Sequence, residues 1–476
     1  MLNLEPKRVF YFFEEIDKIP RNSGDEKRVS DWILSWAKEQ GFDAVQDEYN
    51  NLVIKKGPSA GYELAEPVIL QAHMDMVCEK TPESSHDFSK DPITMRVDGD
   101  WVTSDCGTSL GADNGIGVAY AMAILEDDRL QHPPLEVIFT VDEECTFTGA
   151  ENISTELFSA KRIINLDNAD EHQVLAGSCG GSGINFELPL NWEKPEDDGV
   201  FYKLYVEGME GGHSGEDIHR GRGSAIELLI RLIRDENIRL CSMNAGSYRL
   251  AIPRDGSCTV MVSSDREAHL KEHVAEMKAI FQREYFAAAP ELSVRMEKTE
   301  AEDVLICGDK EKVVKIIDLF PNGIVKMNGA IPGVVESSNN VGTVELGAGK
   351  LFITAETRAA YMTTVRDVLD KVDSLAEIFG AEVTYFGGYV PWEYNPQSPL
   401  RLKAQEVYRQ TFGEELESLV AHAGIECAMF IEKDPQMDAI AIGPNCEYFH
   451  SPNERMSIRS TQKMYKFLIE LLKNLK

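Results

Sequence analysis

Pro67-Val-Ile-Leu-Gln-Ala-His-Met-Asp75 runs through an apolar stretch with no charge, then presents a histidine and, two residues later, a carboxylate. A run of this length, introduced by a proline, reads as a buried strand over 67–72. In open α/β sheets, ligands bind beyond the carboxyl ends of the strands. An imidazole at that place, with a carboxylate close by, suits a metal-binding histidine steadied by a second residue. Standing alone, the pattern is met as well by an ordinary surface His-x-Asp.

Outward from this stretch, the chain alternates helical and strand patterns. Residues 24–41 have helical spacing, with Val29, Ile33, Leu34 and Trp36 on one side and a glycine stop. Ala112–Leu125 reads as a helix, and Leu135–Val141 and Arg162–Leu166 read as strands. Strands separated by helices predict an α/β domain with a mixed, largely parallel sheet. The rhythm changes after Gly177–Gly183, a glycine- and serine-rich run. Long strands (Val200–Val206, Cys258–Ser263, Leu351–Thr357) then surround helices at 223–235 and 264–285, an α+β block. A turn-rich segment, Gly388-Tyr-Val-Pro-Trp392, ends it, and helical patterns at 398–412 and 459–474 flank a last strand, Asp438–Gly443. The reading is one α/β domain in two parts, 1–184 and 390–476, interrupted by an inserted α+β domain at 185–389.

The 476 residues suit two or three domains, and 43% hydrophobic content supplies their cores. A formal net charge of −32 repels nucleic-acid phosphate and anionic membrane surfaces, so neither is expected as a partner. No run approaches the roughly 18–20 apolar residues of a membrane span, and residues 1–20 lack a signal-peptide core. Nine singly scattered cysteines without a CxxC pair fit a reducing compartment, the cytoplasm by default.

Four more clusters carry chemistry. Leu110-Gly-Ala-Asp-Asn-Gly-Ile-Gly117 sets Asp113 among glycines at a helix start. An N-cap aspartate explains it equally well, whereas a phosphate loop fails because Asp113 repels phosphate and no lysine follows. Val141-Asp-Glu-Glu-Cys145 crowds Glu143 and Glu144 at a strand end. A cation would relieve that repulsion, with one carboxylate binding metal and the other serving as general base. Asp167 follows the strand at 162–166, and His450 lies in Tyr448–Glu454, beyond the last strand. Five strand ends or following loops thus each offer a His, Asp or Glu. Two histidines and several carboxylates without thiolates suit zinc, manganese or cobalt in a two-metal site.

In order along nearly the whole chain, Gln71–Met76, Leu110–Gly115, Val141–Glu144, Gly211-Gly-His-Ser-Gly215, His422-Ala-Gly-Ile-Glu-Cys427 and His450–Glu454 resemble the M20 family of metallopeptidases, and within it the bacterial aminoacyl-histidine (Xaa-His, cytosol non-specific) dipeptidases. The resemblance implies a zinc-peptidase α/β catalytic domain with an inserted lid, often dimeric, and small peptides as substrates. It implies His73, Asp113 and Asp167 as ligands of one metal, and Asp113, Glu144 and His450 as ligands of the other. Asp75 then orients His73, Glu143 is the general base, His213 steadies an oxyanion, and Asn340 and Arg358 meet the substrate carboxylate. The expected reaction is hydrolysis of dipeptides; a deacylase acting on acyl-amino acids and a non-catalytic metal-binding protein are the alternatives. Cys145, after the ligand glutamate, is expected as a packed neutral thiol.

Overall fold

The computed structural model describes residues 2–476. By their internal contacts these fall into two units: Met1–Gly177 with Trp392–Val420 and Ile425–Lys476, and Ser178–Pro391 with Ala421–Gly424. The sequence reading puts the first change at 184/185, inside the strand Gly180–Pro189. That strand pairs residue by residue with Lys350–Ala359. A hydrogen-bonded strand is not divisible, so the second unit begins before it.

The first unit is organised on an eight-stranded sheet, in the order Asp43–Gln46, Leu52–Lys56, Leu135–Thr140, Val68–His73, Arg162–Asn165, Asp438–Ala441, Gln173–Ser178, Glu417–Ala421. Its four central strands run parallel, and the flanking pairs Leu52–Lys56 with Leu135–Thr140 and Asp438–Ala441 with Gln173–Ser178 run antiparallel. Parallelism is therefore a property of the centre alone. There the strands Val68–His73 and Leu135–Thr140 are buried throughout, as strands covered on both faces must be.

The helix Ala112–Glu126 is apolar all round and buried along its length. It packs against the helix Lys7–Ile16, whose Val9, Phe10, Phe12, Phe13 and Ile16 face the core. In the helix Lys27–Glu39 the fully buried side chains are Val29, Ser30, Ile33 and Ala37, while Leu34 and Trp36 are only partly covered. Positions 29, 33 and 37 lie on one face of a 3.6-residue helix, with Trp36 at its edge, seven residues from Val29, and Leu34 further round; both pack against the core from the margin.

A small four-stranded sheet, Cys446–Glu447, Arg455–Ser457, Trp101–Ser104, Met95–Asp98, fixes the loop that carries His450. Its first two strands form a hairpin, pairing Cys446 with Met456 and Glu447 with Arg455.

The second unit has its own core and a nine-stranded sheet, antiparallel in every pairing. Helices Ala225–Ile233, Glu267–Glu284, Cys307–Leu319 and Met362–Phe379 contribute to that core. Among the described residues, no helix is long and apolar enough to cross a membrane.

Candidate metal centre

Several ligand candidates in the first unit sit at or just beyond the ends of strands whose direction the sheet fixes. His73 is the last residue of Val68–His73, and its neighbours in the sheet place Glu143–Glu144 beyond Thr140 and Asp167 beyond Asn165. Parallel strands bring their carboxyl ends to one edge, so three loops distant in sequence meet there. Asp113 arrives from the start of the buried helix; it and Asn114 have non-helical φ and ψ, so the regular helix begins after them. Asn114 Nδ2 donates to the Leu166 carbonyl at 2.8 Å and to Asp167 Oδ1 at 3.0 Å, joining two of these loops. His450 and Tyr448 take positive φ, 58° and 57°. Such backbone costs on the order of 1–3 kcal/mol per non-glycine residue and concentrates at functional sites.

The six side chains converge. His73 Nε2 lies 3.0 Å from Asp113 Oδ1, 3.8 Å from Asp167 Oδ2 and 4.0 Å from Glu143 Oε2. His450 Nε2 lies 2.9 Å from Glu144 Oε2 and 3.4 Å from Asp113 Oδ2. Three groups have ligand atoms all within 4.8 Å of one another: His73, Asp113 and Asp167; Asp113, Glu144 and His450; and His73, Glu143 and Glu144. Asp75 is fully buried behind His73, 3.3 Å from its Nδ1, and accepts Ser23 Oγ at 2.8 Å.

Electrostatically the cluster is short of positive charge. Burial raises the carboxyls of Glu143, Glu144 and Asp167, and repulsion from neighbouring carboxylates adds to it: Glu144 on Glu143, and Asp113 on the other two. Burial opposes a charge on His450, but contacts with Asp113 and Glu144 outweigh it and push its pKa up to about 11. Burial likewise opposes a charge on His73, and Asp167, Asp113 and Asp75 outweigh it. Two imidazoles thus face a larger number of half-buried carboxylates, a donor set that fits divalent cations: nitrogen and oxygen ligands, no sulfur. Cys145 is exposed rather than packed, and it belongs to none of these groups. Partial burial and then nearby Asp142, Asp75 and Glu144 raise its pKa, so the thiol stays neutral.

Residues 69–474 match the model of Peptidase family M20/M25/M40. The chain belongs to that family. As an M20 peptidase it is a peptide hydrolase. It is 35% identical to the cytosol non-specific dipeptidase of Escherichia coli, over 99% of this chain and 98% of that one. Among solved structures it resembles the aminoacylhistidine dipeptidase of Vibrio alginolyticus, with a TM-score of 0.88 and 33% identity over 99% and 97% of the two chains. A tripeptidase from Staphylococcus aureus shares the fold at 17% identity, with a TM-score of 0.63 over 99% of both chains.

Two residues of this peptidase whose motif is plain in the sequence, but whose roles are not, lie in His422–Cys427. Glu426, in the first unit, is buried and accepts Gln71 Nε2 at 2.5 Å and Thr140 Oγ1 at 2.8 Å. His422, in the second unit, contacts Ser338 Oγ through Nε2 at 2.7 Å. The glycine between them, Gly424, advertises a turn but not which strands it meets.

Within the second unit, His213, Arg358 and His422 surround Gly215. A Cβ built on Gly215 would stand 2.2 Å from the His422 carbonyl oxygen, and 3.2 Å from both His213 Cε1 and Arg358 Nε. His213 Nδ1 accepts the backbone N–H groups of Gly215 and Glu216, at 3.3 and 3.1 Å. Arg358 is buried and donates to the Tyr389 hydroxyl. Asn340 differs from expectation: its amide nitrogen donates to the carbonyls of Arg249 and Ala251, both at 2.9 Å. With both N–H bonds used on backbone, it supports the segment that bridges to His213 through Ala251 instead of offering a donor to a carboxylate.

Proposed function

We propose that this chain hydrolyses the amide bond of dipeptides, Xaa-His among them, with two divalent cations held by overlapping ligand sets. The observation that carries the reading is the position of Asp113. Its Oδ1 faces His73 and its Oδ2 faces His450, so one carboxylate belongs to a group around each histidine. His73, Asp113 and Asp167 form one set, and Asp113, Glu144 and His450 the other. The donors suit zinc, manganese or cobalt. When bound, such cations supply Lewis acidity to the scissile carbonyl and to the attacking water.

Glu143 is left outside both sets and serves as the general base. It takes a proton from water as the water oxygen bonds to the carbonyl carbon and the C=O electron pair moves onto oxygen. It returns that proton to the amide nitrogen as the C–N bond breaks, releasing a carboxylate and an amine. His213 steadies the developing oxyanion. Because its Nδ1 accepts two backbone N–H groups, the neutral ring carries its proton on Nε2, the tautomer a donor needs. Arg358 is assigned to the substrate carboxylate and Asn340 to positioning the backbone beside His213. The second unit, Ser178–Pro391 with Ala421–Gly424, then acts as the lid of a catalytic domain. The family resemblance implies a homodimer through that lid, with His213 serving its own chain or the partner. The cytosol, named for the Escherichia coli relative, is the proposed compartment.

The test is a panel of dipeptides and N-acyl amino acids assayed with zinc, manganese and cobalt. Free dipeptides should be the better substrates. Faster cleavage of N-acyl amino acids would establish a deacylase, and no cleavage of either by metal-loaded protein would establish a non-catalytic metal binder.

A further inference from the structure

Arg21 and Glu454 belong to neither ligand set, yet both are buried against the loops that carry the ligands. Arg21 Nη1 donates to the carbonyls of Met74 and Asp75, at 3.1 and 3.0 Å, the two residues that follow His73. Its Nη2 donates to the Gly111 carbonyl at 2.6 Å and to Asp17 Oδ1 at 2.9 Å. One rigid guanidinium therefore spans the His73 loop and the Asp113 loop, with its charge met by buried Asp17. Its own backbone joins in, since the Arg21 carbonyl accepts the Met76 N–H at 3.2 Å.

Glu454 completes the arrangement from the other side. Its Oε2 accepts the N–H groups of Leu110 and Gly111, at 2.7 and 2.9 Å, and its Oε1 those of Ala112 and Asp113, at 2.8 and 3.3 Å. Four consecutive N–H groups of the loop that leads into the helix are thereby satisfied by one carboxylate from a distant loop. That carboxylate stands four residues after His450, in the hairpin loop between Glu447 and Arg455. Gly111 is the meeting point: its N–H goes to Glu454 and its C=O to Arg21. Its φ of 75° and the 2.3 Å between a built Cβ and Arg21 Nη2 leave room for no other residue.

We infer that Arg21 and Glu454 are positioning residues, a brace that sets the spacing of the loops bearing His73, Asp113 and His450 before any cation binds. The inference rests on the ligand reading proposed above. Its energetic logic is preorganisation: charge-assisted bonds to backbone fix the donors, so that binding does not have to order them. Conservative changes discriminate sharply. Glu454→Gln places an amide NH2 against backbone N–H donors, and Arg21→Lys loses the planar fork that reaches two loops at once.

Hydrogen–deuterium exchange on the full-length wild-type chain, stripped of metal by a chelator, tests this without a substitution. The amides of residues 110–112 should exchange at least about tenfold more slowly than in an unstructured peptide. Cobalt(II), titrated in competition with a chelator, then reports affinity and a visible spectrum. Glu454→Gln should lose the protection at 110–112, weaken cobalt by about 10–100-fold and alter its spectrum, and Arg21→Lys should weaken it similarly. Free exchange at 110–112 in metal-free wild type, with protection only after cobalt is added, overturns the inference even if neither variant folds. A folded Glu454→Gln chain with wild-type cobalt affinity and spectrum overturns it alone. A wild-type chain that binds no cobalt overturns the ligand reading and this inference with it.

Discussion

Asp75 Oδ1 lies 3.3 Å from Nδ1 of His73, on the side of the ring away from Asp113. The same carboxylate accepts the backbone N–H groups of Glu143 and Glu144, both at 3.1 Å. It therefore stands behind two strand ends at once. Asp75→Ala should lower metal affinity by about 10–100-fold and reduce kcat with it, measured by chelator competition and by steady-state kinetics. Wild-type affinity in a folded variant would show that His73 needs no such support.

The neighbouring glutamates should separate cleanly. Glu143→Ala is expected to lower kcat by about 10²–10⁴-fold with two metals retained, whereas Glu144→Ala should lose metal. Glu143 also lies close enough to His73 and Glu144 to complete a third group of ligand atoms. Elemental analysis beside kinetics therefore decides: loss of metal from Glu143→Ala would make it a ligand and not the base.

Metal removal should act on stability as well as rate. Cations that bind only the folded chain stabilise it by mass action, and here they also relieve repulsion among buried carboxylates. Dialysis against a chelator should abolish activity and lower the Tm of the first unit, and zinc, manganese or cobalt should restore both. Full activity in protein shown to be metal-free would rule out the two-metal mechanism.

His213→Ala should lower kcat by about 10²–10³-fold with metal content unchanged. Gly215→Ala should do at least as much damage, because its methyl group would meet the His422 carbonyl. Mixing inactive His213→Ala chains with inactive Glu143→Ala chains then tells where His213 acts: recovered activity means across subunits, none means within one chain. An active His213→Ala enzyme would remove it from the mechanism.

The second unit should carry an acid-sensitive contact at His422. Burial, then the charge of Arg358 and of His213 and His219, lowers its pKa to about 3. The unfolded chain, with an ordinary histidine value near 6.5, takes up the proton more readily than the folded one. The stability it contributes is therefore complete above about pH 6.5 and falls toward pH 3, by about 1.4 kcal/mol per pH unit inside that window. His422→Gln should flatten this limb, so the stability gap between variant and wild type narrows from pH 7 to pH 4.5 in urea titrations of the second unit. A gap constant with pH would mean that the folded histidine titrates normally.

Much of the site was legible because its parts are local. An apolar strand ending in His73, two glutamates after Val141, an aspartate after the strand at 162–166: each follows from a short continuous apolar run and the rule that strand ends carry ligands. The helix Lys7–Ile16 went unread, although Val9, Phe10, Phe12, Phe13 and Ile16 mark its buried face, because the interspersed charges mask a short amphipathic pattern. Cys145 departs from its expected packing for a different reason. Exposure depends on how the loop after Glu144 turns, and a cysteine in sequence gives no sign of which way it points.

The sequence by itself determined the α/β and α+β composition and the residues of every candidate ligand, since these depend on apolar runs and on chemistry read one loop at a time, and the order of its motifs carried the family resemblance. Only the tertiary structure decided that Asn340 spends its amide on backbone and that Arg21 and Glu454 meet at Gly111. The bonds of Asn340, and those of Arg21 and Glu454 at Gly111, join residues 89 to 343 positions apart through backbone N–H and C=O groups. No side-chain pattern encodes such a partner, so only the packing of the strands and loops reveals it.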